Sequence, residues 1–478
     1  MTDRGARGKW VGVLATAGLG LLSLAPLAAP AIAHGDDTLP YLVMGGSGMP
    51  LPDDAWVDTI ASLFLPANAD ATALYTPEEF YPLSLNELTL DDSVSQGLND
   101  LNTALQPYLD SGTPVGVFGY SQSAIIASLE MSQLEAQGVP SSDVSFTLIG
   151  DLMNPNGGLF ERFAGLDLTS LGIDFSGATP SDDYATTIYT MEYDTWADFP
   201  KYPLNILSDL NAFMSQTHFD YDTLTPEQIA QAIPLETTGG LTDYYIIPAD
   251  DLPLLDPVRD IPIVGNPIAD LLQPDLTALV NLGYGDPDYG WSTTPANEAT
   301  EFGLFPSIED IEKLPNLLIT GTEQGIQDFI GDFTGTGPNP VSLSLDSLLA
   351  GLTDSTTSTS TTALDPDAVV SALTTLLSDP TALAAVPGDL TDAFTDIGNT
   401  LSGSLTATED ILYAAMVSVP EYNLSLVLDN LDNPIEALGL PIAADLAIYN
   451  LLGGFESTVL ENAASSITAS LTELLPAL

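Results

Sequence analysis

Ser121 stands in Gly119-Tyr120-Ser121-Gln122-Ser123, between an apolar run over 115–119 and a helical stretch that begins near Ser123. Small residues two places before and two places after a serine let a strand turn sharply into a helix. Such a turn lifts the serine hydroxyl clear of the backbone and sets a helix N-terminus beneath it. The pattern is that of a nucleophile elbow, with Ser123 in place of a final glycine. A serine needs a base before it can attack a carbonyl. The chain has two histidines, His34 and His218. His34 follows the expected end of a leader and would be the mature N-terminal residue, so His218, in Gln216-Thr217-His218-Phe219-Asp220, is the expected base. A base in turn needs an acid to hold its tautomer. The apolar run over 186–193 leads directly into Asp194, at the carboxyl end of an expected strand; Asp198 is the alternative.

An acyl-transfer site also needs two hydrogen-bond donors for the oxyanion. The Gln122 N–H, at the start of the helix, is the first candidate. The second lies in Gly45-Gly46-Ser47-Gly48-Met49-Pro50, where Gly46 and Ser47 follow the first expected strand. Ser47 offers both an N–H and a hydroxyl. A glycine-rich loop of this kind also suits phosphate, but no lysine accompanies it and the dinucleotide pattern is incomplete. No cofactor and no metal site is expected. A copper site built on an N-terminal His34 with His218 would leave the elbow unexplained. Asp pairs such as Asp250-Asp251 raise the possibility of glycoside hydrolysis, but in so acidic a chain they read as solvated charge.

These residues need a scaffold that brings distant segments together. Runs over 39–44, 115–119, 144–149 and 186–193 read as buried parallel strands. Stretches over 93–109 and 123–137 read as helices between them. Strands alternating with helices predict an α/β fold with a mostly parallel central sheet flanked by helices. The order Ser121, Asp194, His218 is that of an α/β-hydrolase and of neither protease arrangement. Trp196, Tyr193 and Phe199 surround the expected acid and suit either an acyl pocket or the core. The Pro- and aromatic-rich stretch over 220–300 is expected to cover the site as a lid or wall.

Four segments are expected. Residues 1–33 read as an export signal: Arg4, Arg7 and Lys9, then an apolar run, then Ala31-Ile32-Ala33. Residues 34–335 form the α/β-hydrolase domain. Residues 336–366 carry a Thr/Ser-rich linker, and 367–478 a mainly helical region. Its apolar faces run through Val369, Leu373, Leu376 and Leu377, and through Val459, Leu460, Ala463, Ile467, Leu471 and Leu474. A secreted or cell-envelope protein follows, with the signal either cleaved or kept as an anchor. The absence of cysteine excludes disulfides and thiol chemistry, so stability must come from the core. The net charge is −59, and loss of the leader makes it two charges more negative. Such a surface excludes nucleic acid and anionic membranes as electrostatic partners. Nothing fixes the oligomeric state.

Several of these motifs occur together in one family. The elbow, the glycine-rich loop, Asn154-Pro155-Asn156-Gly157-Gly158, Glu192-Tyr193-Asp194 running into Ala197-Asp198-Phe199-Pro200, and Gly283-Tyr284-Gly285 resemble, in this order, the PE-PPE domain family of mycobacteria and their relatives. The likeness covers about residues 38–300. It implies a cutinase-like serine hydrolase acting as an esterase or lipase on acyl esters. It also implies a related alternative, an acyltransferase on trehalose-type envelope glycolipids, and possible association with the cell envelope. The family's serine, acid and base map onto Ser121, Asp194 and His218. A leader stands where a PE or PPE module would precede the domain, as in exported stand-alone members. A non-catalytic surface protein on the same scaffold is the competing class.

Overall fold

The computed structural model describes residues 38–340 and 380–474. The expected export signal, His34, the Thr/Ser tract and the face from Val369 to Leu377 lie outside them. In the described residues the chain runs β1 (Leu39–Val43), α1 (Asp54–Phe64), β2 (Ala69–Ala73), α2 (Leu90–Ser111), β3 (Val115–Tyr120), α3 (Gln122–Gln137) and β4 (Val144–Ile149). Then follow α4 (Leu159–Arg162), a small hairpin of β5 (Asp167–Leu168) and β6 (Ile173–Asp174), β7 (Ala185–Met191) and α5 (Ile206–Met214). After two 3-10 turns come α6 (Pro226–Ala230), β8 (Ile233–Pro234), β9 (Thr242–Ile247), α7 (Asp256–Arg259), α8 (Gly265–Asn281) and α9 (Ile308–Thr334).

The main sheet has the order β2-β1-β3-β4-β7-β9-β8 and is parallel except at the β8-β9 edge. It is the mostly parallel, helix-flanked sheet that the alternation of strands and helices predicts. Alternate side chains of each central strand enter opposite cores, as a two-residue repeat requires. Leu42 of β1, Val115 and Val117 of β3 and Phe146 of β4 face α2 and α3. Tyr41, Val43, Phe118 and Ile149 face α1, against Ile60 and Phe64. Burial on both faces explains why these strands read as continuous apolar runs.

The chain leaves β1 toward β2 on one side, then crosses back over β1 to β3 on the other. The loops after β1 and β3 therefore open into a crevice where the strand order reverses. Open α/β sheets bind ligands at such a switch point. The glycine-rich loop leaves β1 here and Ser121 leaves β3 here, so the topology joins two segments about seventy residues apart in sequence.

The stretch over 220–300 corrects the expectation of a lid. It supplies two strands of the sheet, β8 and β9, and the 17-residue helix α8. Tyr244, Ile246 and Ile247 of β9 are core residues.

The described residues from Pro380 to Leu474 are mainly helical. α10 (Pro380–Tyr413) passes through a π-helical turn, Ala414–Ser418, into α11 (Val419–Asp429); α12 (Pro434–Leu474) returns against them. The stretches Thr395–Asp429 and Pro434–Ser470 are long and apolar enough to cross a membrane. About a third of each apolar window is nevertheless buried within the protein. The inward residues Ile411, Tyr422, Ile448, Leu451 and Phe455 belong to the same core as β3, β4 and α3. Polar contacts add to the junction: the Asn462 side chain donates to the Leu83 carbonyl (2.8 Å), and Tyr81 donates to Asp410.

Candidate active site

The elbow forms as the residue sizes demand. Ser121 has φ 56° and ψ −119°, a conformation strained for any residue with a Cβ. Its N–H donates to the Ile149 carbonyl (3.1 Å), which ties the turn to β4. At Gly119 a Cβ would come within 2.7 Å of the Ser123 carbonyl oxygen, so only glycine lets β3 and α3 approach this closely. Ser123 fits the place of the usual glycine because its hydroxyl turns back, donating to the Tyr120 carbonyl (3.1 Å) and accepting the Tyr120 N–H (2.8 Å).

His218 lies in the 3-10 turn Thr217–Phe219 and is buried. Its Nε2 is 2.9 Å from Ser121 Oγ. Its Nδ1 is 2.8 Å from Asp194 Oδ1 and 2.9 Å from Oδ2. An ionised carboxylate only accepts hydrogen bonds, so Nδ1 carries the proton and Nε2 is left to accept the serine hydroxyl. Asp194 is fully buried and also accepts the N–H groups of Trp196 (2.9 Å) and Ala197 (3.2 Å).

Asp198 lies in the same turn but has another role. Its Oδ2 accepts the Tyr193 N–H (3.0 Å), and it makes no hydrogen bond to His218. Burial holds its carboxyl well above the usual range, partly offset by the Tyr193 N–H and by buried Arg162.

The glycine-rich loop lies directly against the elbow. A Cβ on Gly46 would stand 3.1 Å from Ser121 Cβ. The Ser47 hydroxyl donates to the Gln122 carboxamide oxygen (2.8 Å), and the Gln122 amide donates to Ser93 Oγ on α2 (2.6 Å). Ser93 Oγ also accepts the Glu79 N–H (3.0 Å). The Ser47 hydroxyl thus locks the loop to the elbow, and a backbone N–H is what the loop can offer an oxyanion. Gln122 opens α3, so its own N–H is among those a helix leaves without an internal partner. Ser93 was not singled out by sequence; it is 29 residues from Gln122 and carries no local motif.

A cleft of about 220 Å³ opens beside the loop, lined by Gly46, Ser47, Met49, Trp56, Tyr120 and Phe219 among others. On the other side Trp196, half-buried, stands 6.1 Å from the His218 ring and stacks on Phe455 of α12 at 6.5 Å. Tyr193 and Phe199 are core residues. Among the described residues no group of three or more His, Asp or Glu side chains is arranged to hold a metal ion. A strained serine joined to histidine and carboxylate, with helix and loop amides nearby, is equipped to attack an acyl carbonyl.

The PE-PPE domain pattern matches residues 67–285. The chain is 42% identical over 454 residues to the PPE family protein PPE28 of Mycobacterium tuberculosis, covering 91% of this chain and 67% of that protein. It is 44% identical over 277 residues to esterase PE16 of the same species, covering 55% of this chain and 51% of the relative. It is 27% identical over 218 residues to the SL1278 acyltransferase Chp1, also of that species, covering 44% and 52%. The chain therefore spans between about half and two thirds of the length of these relatives. A cutinase-like protein from Cryptococcus sp. aligns with a TM-score of 0.27 and 15% identity over 41% of this chain and 90% of that one, too distant to bear on function. With its sequence matched across most of its length by PPE28, the chain belongs to the PE-PPE domain family.

Proposed function

We propose that the protein is an exported serine esterase or acyltransferase that works through an acyl-enzyme on Ser121. The observation that carries this reading is the continuous chain from Ser121 Oγ through His218 to Asp194, with contacts of 2.9 and 2.8 Å. Two of its relatives, the esterase PE16 and the acyltransferase Chp1, support acyl ester chemistry.

His218 Nε2 takes the Ser121 proton as Oγ attacks the ester carbonyl. The oxyanion is held by the Gln122 N–H and by the loop amide at Ser47, which the lack of a Cβ on Gly46 lets lie close to Ser121. Asp194 keeps Nδ1 protonated and stabilises the imidazolium as it forms. His218 then gives its proton to the departing alcohol, leaving an acyl group on Ser121. Water or a second alcohol, such as a sugar hydroxyl, removes that group with His218 again as base. Water gives hydrolysis and a sugar gives transfer; the same residues serve both. The aromatic lining of the cleft suits an acyl or glycolipid substrate, and the acidic surface disfavours anionic ones. Residues 1–33 serve as the export signal in this reading, and 34–335 as the catalytic domain.

The test is turnover of a p-nitrophenyl ester by the parent and by Ser121→Ala, with and without trehalose as acceptor. Loss of turnover in Ser121→Ala is expected. Acylated trehalose in excess of free acid would favour transfer, and the reverse would favour hydrolysis. Undiminished turnover in Ser121→Ala would overturn the proposal.

A further inference from the structure

Behind Asp194 stands a phenol that the mechanism does not use. Tyr221, three residues after His218, is 1% exposed. Its hydroxyl lies 2.9 Å from Asp194 Oδ2 and accepts the Met191 N–H at 2.9 Å. The amide fills an acceptor position, so the single phenolic proton is committed to Asp194. Asp194 Oδ1 is already held by the Trp196 and Ala197 N–H groups. The Tyr221 hydroxyl is the side-chain donor on Oδ2, apart from the imidazole itself.

The ring is as firmly placed as the hydroxyl. It stands edge-on to His218, with centroids 6.4 Å apart and planes at 88°, and edge-on to Tyr120 at 6.0 Å. Both rings lie over Gly150, just beyond β4, where a Cβ would come within 2.9 Å of His218 Cε1 and 3.2 Å of Tyr221 Cε2. Tyr120 in turn donates to the His218 carbonyl at 2.7 Å. Burial, and then the charge of Asp194, hold the Tyr221 phenol well above its usual range, so it stays a donor.

We propose that Tyr221 is a positioning residue of this site, whose hydroxyl fixes the Asp194 carboxylate in the orientation that meets His218 Nδ1. A tyrosine serving only the core would spend its proton on a carbonyl or on water. This proton points at the carboxylate that orients the base. The inference rests on the reading of Ser121 as nucleophile.

Tyr221→Phe keeps the ring and removes the oxygen alone. The expected result is a fall in kcat of roughly tenfold, the scale of one charge-assisted hydrogen bond, with KM unchanged. The acid limb of the kcat/KM profile should move to higher pH, because a carboxylate relieved of one donor places more charge against the imidazole. Fluorotyrosine at position 221 keeps the hydroxyl and makes it a stronger donor, so it should move the limb to lower pH. A packing role moves neither limb, and the fluorotyrosine variant guards against misfolding of Tyr221→Phe. Parent-like kcat and acid limbs in both variants, with Ser121→Ala inactive, would overturn the positioning role and leave the function standing. An active Ser121→Ala would remove the reading beneath both.

Discussion

Asp194 and Asp198 are four residues apart and both buried, yet one faces the histidine and the other accepts an N–H from its own turn. Asp194→Asn should lower kcat by about 10³–10⁴, because an amide at Nδ1 favours the wrong imidazole tautomer. Asp198→Asn keeps an oxygen for the Tyr193 N–H and should leave kcat near the parent value. Steady-state kinetics on the two variants separate these roles, and equal losses would contradict them. Strand position already favoured Asp194 in the sequence, since a strand's carboxyl end is where a parallel sheet presents its chemistry. Histidine scarcity pointed to His218. The locking role of the Ser47 hydroxyl was not legible, because its partner Gln122 is 75 residues away. Tyr221 was equally hidden: only the folded loop aims its hydroxyl at Asp194.

At the scale of elements, β3 and α3 announce themselves through apolar runs bounded by small residues. β2 does not. Its sequence Ala-Asp-Ala-Thr-Ala is half-exposed and holds its place by pairing with β1, a long-range contact that local pattern does not carry. β9 has the apolar residues of a strand, but the prolines and aromatics around it read as a lid or wall over the site. The helical character of the C-terminal region was legible; its attachment was not. Phe455 of α12 packs against Phe80 (5.9 Å) and Trp196, and so joins the helices to the wall of the site. Phe455→Ala should destabilise the protein by about 3–5 kcal/mol, as other buried Phe truncations do. Thermal unfolding should show the transition of the α/β region shifting downward. A shift confined to a separate helical transition would mean that the two regions are not coupled.

Over the whole molecule, acidity extends into the interior. Burial raises Glu78 to about 8, against an ordinary 4.5, and raises Asp151, Glu130, Glu161 and Glu192 to about 7. The folded protein keeps these protons after the unfolded chain has lost them. Their contribution is complete below the unfolded values and is lost as pH rises through the folded ones, so stability should fall between about pH 5 and pH 8. Glu78→Gln removes the highest of these five titrations. Its melting temperature should fall less than the parent's over the same interval; parallel declines would show that Glu78 does not contribute.

Covalent labelling reads the reactivity of a single oxygen atom, Ser121 Oγ. After incubation with a fluorophosphonate and proteolysis, mass spectrometry should find the adduct on the peptide that carries Ser121, and no adduct in Ser121→Ala. Labelling at another residue, or none in the folded parent, would contradict the assignment of Ser121 as the nucleophile.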